Sequence, residues 1–93
     1  MKKYIYSQWL KAPHGSPVEF FSELDEQRYE TRKIEIFKNG KIGYAARGKA
    51  SNGTRLGIEP VPSINEIAAQ PEFTVKEISQ EDFDKKWKEL IST

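Results

Sequence analysis

The chain has no cysteine and a single histidine, His14. The first absence excludes disulfides and thiol nucleophiles and agrees with a reducing compartment. The second leaves His14, in the loop Ala12-Pro13-His14-Gly15-Ser16-Pro17, with no nucleophile beside it and too few companions for a metal site. No glycine cluster has the spacing of a phosphate-binding loop; Gly40, Gly43, Gly48, Gly53 and Gly57 read as turn and packing residues. Long apolar runs are missing too. Nothing approaches the roughly 20 residues that cross a bilayer, and Met1-Lys2-Lys3-Tyr4-Ile5-Tyr6-Ser7-Gln8-Trp9 alternates where a signal peptide would be continuously apolar. Carboxylate pairs such as Glu23/Asp25 are common on surfaces and form no catalytic constellation. The expectation is a cytoplasmic protein with no cofactor and no metal that is not an enzyme. Charge of one sign is lacking as well: a net +1 gives no global field toward nucleic acid or membrane.

What is present fits one domain over residues 1–93, with enough Trp, Tyr and Phe to build a compact core. The organising stretch is Arg28-Tyr29-Glu30-Thr31-Arg32-Lys33-Ile34-Glu35-Ile36-Phe37-Lys38, then Asn39-Gly40, then Lys41-Ile42-Gly43-Tyr44-Ala45-Ala46. Asn-Gly between two β-rich runs predicts a hairpin with a two-residue type I′ turn. That loop would set Phe37 opposite Ile42 and Ile36 opposite Gly43. Parity then puts Arg28, Glu30 and Arg32 on the face of Ile34 and Ile36. Arg28 and Glu30 read as a structural ion-pair row; Arg32 and Lys33 are open to either a structural or a contact role.

Along the chain, Lys3 to Leu10 alternates as a strand, and Val18 to Leu24 is a second, with Glu19, Phe21 and Glu23 sharing one parity. Short links make an antiparallel meander the default. Residues 47–54 read as a mobile loop, and Thr54 to Ile58 as a possible short returning strand. Ser63-Ile64-Asn65-Glu66 matches a capping box opening a helix from Ile64 to Gln70, which Pro71 stops. Phe73 to Ile78 alternates as a last strand at a sheet edge. Ser79 caps a second helix whose Phe83, Trp87, Leu90 and Ile91 form one apolar stripe. The fold class is therefore α+β: a four- to five-stranded, mainly antiparallel meander sheet packed by a C-terminal helix and one short helix.

The near-neutral total hides blocks. Residues 19–30 hold Glu19, Glu23, Asp25, Glu26 and Glu30 against Arg28, and residues 31–58 hold seven cations against Glu35. Tyr29, Phe37 and Tyr44 interleave that basic block, as stacking aromatics do on a nucleic-acid surface.

Several strings together carry a resemblance. Glu23-Leu24-Asp25, Arg28-Tyr29-Glu30-Thr31-Arg32-Lys33, Gly43-Tyr44-Ala45, Gly53-Thr54-Arg55-Leu56-Gly57, Glu59-Pro60, Pro62, Glu72-Phe73 and the Phe83/Trp87 helix span nearly the whole chain. The set resembles a small bacterial domain family of unknown function, some members of which look like immunity proteins of contact-dependent growth inhibition systems. The resemblance implies a protein that binds and neutralises one cognate toxin domain, here expected to be a nuclease. An acidic patch can occupy a nuclease's basic cleft and steer association. The expected contacts are Glu19, Glu23, Asp25 and Glu26, Asn52 on the loop, and an aromatic anchor, Phe21 or Tyr6, left on the open sheet face. The alternative is a nucleic-acid-binding or regulatory module that would use Lys33, Lys41, Arg47, Lys49 and Arg55.

Overall fold

The computed structural model describes residues 1–51 and 53–91. Its strands are β1 (Lys3–Trp9), β2 (Pro17–Leu24), β3 (Glu30–Phe37), β4 (Ile42–Ala46), β5 (Lys49–Ser51) and β6 (Phe73–Ile78); its helices are α1 (Ile64–Ala68) and α2 (Gln80–Leu90). The sheet is six-stranded, in the order β5-β4-β3-β2-β1-β6, and every pairing is antiparallel. The α+β class and the meander hold for β1 to β5. The strand count corrects the four or five expected. Residues 49–51, read as loop, pair with β4 across the two-residue link Arg47-Gly48, with Gly48 at φ +79°. The segment 54–58, expected as a possible short returning strand, forms no strand pairing among the described residues.

The β3–β4 hairpin is one residue out of the expected register. Ile36 faces Ile42 and Glu35 faces Gly43. The Gly40 amide donates to the Phe37 carbonyl and the Phe37 amide to the Lys41 carbonyl, both at 2.9 Å. Gly40 has φ +88° whereas Asn39 is not left-handed. A three-residue loop of this kind, a turn followed by a glycine bulge, is the next commonest solution after the two-residue turn.

A second irregularity changes which residues share a face. Glu23 pairs with Arg32 but Leu24 pairs with Glu30, so Thr31 is a bulge residue without a partner of its own. Its hydroxyl donates to the Glu23 carboxylate at 2.8 Å. One extra residue inverts parity upstream of it. Arg32 therefore lies on the face of Ile34, and Glu30 on the opposite face with Lys33. The expected Arg28/Glu30/Arg32 row does not exist. Arg28 sits outside the strand at φ +69°, its Nε and Nη2 donating to the carbonyls of Val61 and Pro62 at 2.8 and 2.7 Å.

The two faces are covered differently. On one, Phe83 of α2 is fully buried against Tyr4, ring centroids 5.4 Å apart, and Trp87 meets Tyr44 edge-on at 5.8 Å. Ser79 caps α2 by accepting from the Asp82 amide, and Ser63 and Glu66 form the predicted capping box of α1. Exchange with the backbone and side chain of Ser63 holds the Glu66 carboxyl below its ordinary range. The other face is covered by the extended segment after β5 and by α1. There Gly43 is required: a Cβ would overlap the Thr54 hydroxyl, which is buried and donates to Glu35 at 2.8 Å. Lys33 is paired with Glu30 at 3.1 Å and sits 4.0 Å from Glu35, with only 14% of its side chain exposed. No described helix is long and apolar enough to cross a membrane.

Candidate functional site

Helix α2 runs diagonally from β1 toward β4 over an ionic cluster. Arg32 donates to Glu23 through Nε at 3.0 Å and Nη2 at 2.7 Å, and to Asp84 of the helix at 2.7 Å. Its guanidinium carbon lies 4.7 Å from the Phe83 ring centroid and 5.1 Å from that of Trp87. Glu23 is 5% exposed. Burial pushes its carboxyl up, but hydrogen bonds from Arg32, Thr31 and Tyr4 outweigh that and hold it at about 2. Hydrogen bonding to Glu23 raises the Arg32 pKa, and burial raises that of Tyr4. This cluster ties the helix to the sheet, with Glu23 buried and Asp84 at its half-exposed outer end.

Beside the helix, toward β6, the same face opens into a groove of about 430 Å³ floored by Tyr6, Phe21 and Ile78. The Tyr6 and Phe21 rings are 4.8 Å apart. The Tyr6 hydroxyl donates to Glu19 at 2.5 Å, and burial, then this acceptor, push its pKa up to about 12. Lys76 lies 5.7 Å from the Tyr6 ring and Lys86 5.7 Å from that of Phe21. Lys85 completes one rim, with Asp82 and Glu89 interleaved. The groove thus sets neutral aromatic rings beneath charges of both signs. Among the described residues, no group of three or more His, Cys, Asp or Glu is placed to hold a metal ion.

A family model described as a domain of unknown function, DUF6881, matches residues 3–92. The chain belongs to the DUF6881 family. No curated protein and no solved structure matches it. The DUF6881 match spans every strand and helix described, so the groove and the ionic cluster both lie within the family domain.

Of the contact residues expected from the sequence of this DUF6881 domain, Glu19, Phe21 and Tyr6 come together in the groove. Glu23 does not: the Thr31 bulge and Arg32 bury it as a structural acid. Asp25 is spent on its own turn, its Oδ1 accepting from the amides of Gln27 and Tyr29 at 2.9 Å each. Glu26 is exposed at that turn, and Asn52 lies outside the described residues. Of the alternative basic set, Arg47, Lys49 and Arg55 line one cleft of about 400 Å³ around Ala46 and Ala50. Lys41 lies at the opposite end of β4. Lys33 lies between Glu30 and Glu35 and does not line that cleft. Sequence reasoning passed over Lys76, Asp82, Lys85, Lys86 and Glu89. The 82-85-86-89 spacing beside the apolar stripe of α2 was the available signal, because residues three, four and seven apart share a helix face.

Proposed function

We propose that this domain is an immunity protein: it binds a cognate bacterial toxin, a nuclease of a contact-dependent inhibition system, and neutralises it through the groove beside α2. The observation that carries this reading is the Tyr6–Phe21 pair set in that groove, half-buried and ringed by Glu19, Asp82 and Glu89 against Lys76, Lys85 and Lys86. Aromatic anchors in a desolvated centre with a charged rim are the arrangement from which protein interfaces draw most of their affinity. Opposed charges on the rim set register and exclude wrong partners. The resemblance to immunity proteins in the sequence supports the same reading.

The test is retrieval of the tagged domain from lysate of its own bacterium with and without nuclease treatment, followed by co-expression with whatever protein co-purifies. The expected result is one stoichiometric, nuclease-resistant partner that is toxic alone and harmless beside the domain. Glu19→Lys with Phe21→Ala should abolish both retrieval and protection while circular dichroism stays native. Partner loss without a change in toxicity refutes the immunity reading.

A second reading rests on the cleft of Arg47, Lys49 and Arg55, which have no ion-pair partner among the described residues. Three phosphate contacts would give log K a slope of about −2 against log salt on single strands. Nuclease-sensitive recovery of RNA or DNA with that slope favours this reading.

A further inference from the structure

The face opposite α2 carries a second concavity, of about 270 Å³, where α1 and the Val61-Pro62 segment overhang β1, β2 and β3. Its chemistry is unlike that of either surface above. The walls are Ile5, Phe20, Val61, Ile67 and Phe73. The floor is polar, and that is the anomaly, because this is the middle of a sheet face that packing would fill with aliphatic side chains. Ser22 is 5% exposed, lines the cavity, and forms no side-chain hydrogen bond with any described residue. Ser7, diagonal to it across the β1–β2 register, also lines the cavity and is likewise unpartnered. Beside Ser22 across β3 lies Lys33, whose ammonium has three donors and makes one short ion pair, to Glu30 at 3.1 Å. The Gln70 amide of the α1 turn closes the rim.

Neither hydroxyl is cut off from solvent, since Trp9 Nε1 alone is a buried unpartnered side-chain polar atom among the described residues; Ser22 and Ser7 are open to the cavity and free to meet a ligand. Two such hydroxyls, beside the Lys33 ammonium and its Glu30 partner and within apolar walls, make a site whose polar groups face the cavity. We propose that this cavity binds a small neutral heterocycle carrying an amide or imide edge, of the nucleobase or carboxamide class. The ring faces Ile5, Phe20 and Ile67; the carbonyl accepts from Lys33; the N–H and remaining acceptor meet Ser22 and Ser7, which can each donate and accept. The volume lies just below the usual range of ligand pockets, about 300–1,000 Å³, and so suits one ring. An anion is disfavoured, since Glu30 and Glu35 already flank the Lys33 charge. The site is separate from the groove beside α2 and stands or falls without the immunity reading.

The experiment is an amide chemical-shift titration of the full chain with uracil and with nicotinamide, using benzoate as the anionic comparison. Saturable shifts at Ser7, Ser22, Lys33, Val61 and Ile67, with a Kd on the order of 1 mM as expected of a single-ring ligand, and none with benzoate, are the predicted result. Ser22→Val, a substitution suited to a strand, should weaken binding about tenfold or more by removing the hydroxyl and filling the floor. Gln70→Ala, on the exposed rim, should weaken it two- to fivefold in a chain whose fold it cannot disturb. Absence of saturable shifts with both neutral probes, equal response to benzoate, shifts confined to the α2 groove, or unchanged affinity in both variants would each overturn the proposal.

Discussion

Replacing Arg32 with leucine removes the guanidinium that Glu23 and Asp84 share. Glu23 is 94% shielded at its side chain and keeps only Thr31 and Tyr4 as donors, with the Lys2 ammonium 3.7 Å away. A buried carboxylate that loses its counter-charge costs about 3–5 kcal/mol, a large part of the roughly 5–15 kcal/mol that holds a domain folded. In urea, where the slope for small proteins is about 1–3 kcal/mol per molar, the unfolding midpoint should fall by about 1–5 M. The double variant Glu23→Gln/Arg32→Leu should recover more than half of that loss, because it removes the stranded charge. Asp84→Asn should cost no more than about 1 kcal/mol, since the Asp84 side chain is 47% exposed. The acid limb supplies a second readout. With its carboxyl at about 2 in the fold against an ordinary 4.5, Glu23 contributes stability that is full above about pH 4.5 and disappears as the pH falls toward 2, on the order of 3 kcal/mol in all. Arg32→Leu should flatten that limb. A loss below about 1 kcal/mol in Arg32→Leu, or an acid limb as steep as in the parent, would refute the view that this cluster holds the helix to the sheet.

Three further outcomes are expected. Gly43→Ala forces the Thr54 hydroxyl off Glu35 and should destabilise by about 1–3 kcal/mol in denaturant titration, as overpacked sites do. Tyr6 should ionise near pH 12 in an ultraviolet absorbance titration, and Glu19→Gln should move it back toward 10.0; the raised value means its contribution to stability is intact below pH 10 and is lost between 10 and 12. Ser79→Ala removes the cap that accepts from the Asp82 amide and should cost about 1 kcal/mol, read as a drop of about 4–8 °C in Tm.

Much of this architecture was legible in the sequence because it rests on local signals. The capping box at Ser63, the N-cap at Ser79, the Phe83/Trp87 stripe and the alternation of β1, β2 and β6 each depend on residues within one or two turns of each other. What was not legible depended on insertions of a single residue. Asn39-Gly40 is compatible with two loop lengths, and only the partner register, Ile36 to Ile42, selects the longer. The Thr31 bulge is invisible to period-two counting, yet it moves Glu30 to the other face and so decides every ion pair of the Arg28–Lys33 string. That string explains itself only in three dimensions. Arg28 clasps the Val61-Pro62 segment, Glu30 accepts from the Gly57 amide at 2.6 Å, and Arg32 holds α2. The polar end of β3 is therefore where both covering layers are tied to the sheet. The candidate groove was half legible for the same reason: Glu19 and Phe21 share parity on one strand, whereas Lys76 and the α2 lysines reach them only through the β1–β6 pairing.

That pairing has a consequence for how the chain is made. β1 is synthesised first but ends up inside the sheet, with β2 on one side and β6 on the other, so that Tyr4 waits for Ile78 and Trp9 for Phe73. While a ribosome is still adding residues 52–72, the five earlier strands can assemble and leave Tyr4-Ile5-Tyr6-Ser7-Gln8-Trp9 as a bare outer edge. Such an edge, rich in aromatic and β-branched side chains, is a template for intermolecular pairing. A stalled or proteolysed chain ending before Phe73 should thus be a seed for aggregation rather than a harmless fragment, and the interval between the two strands sets how long the nascent protein needs protection.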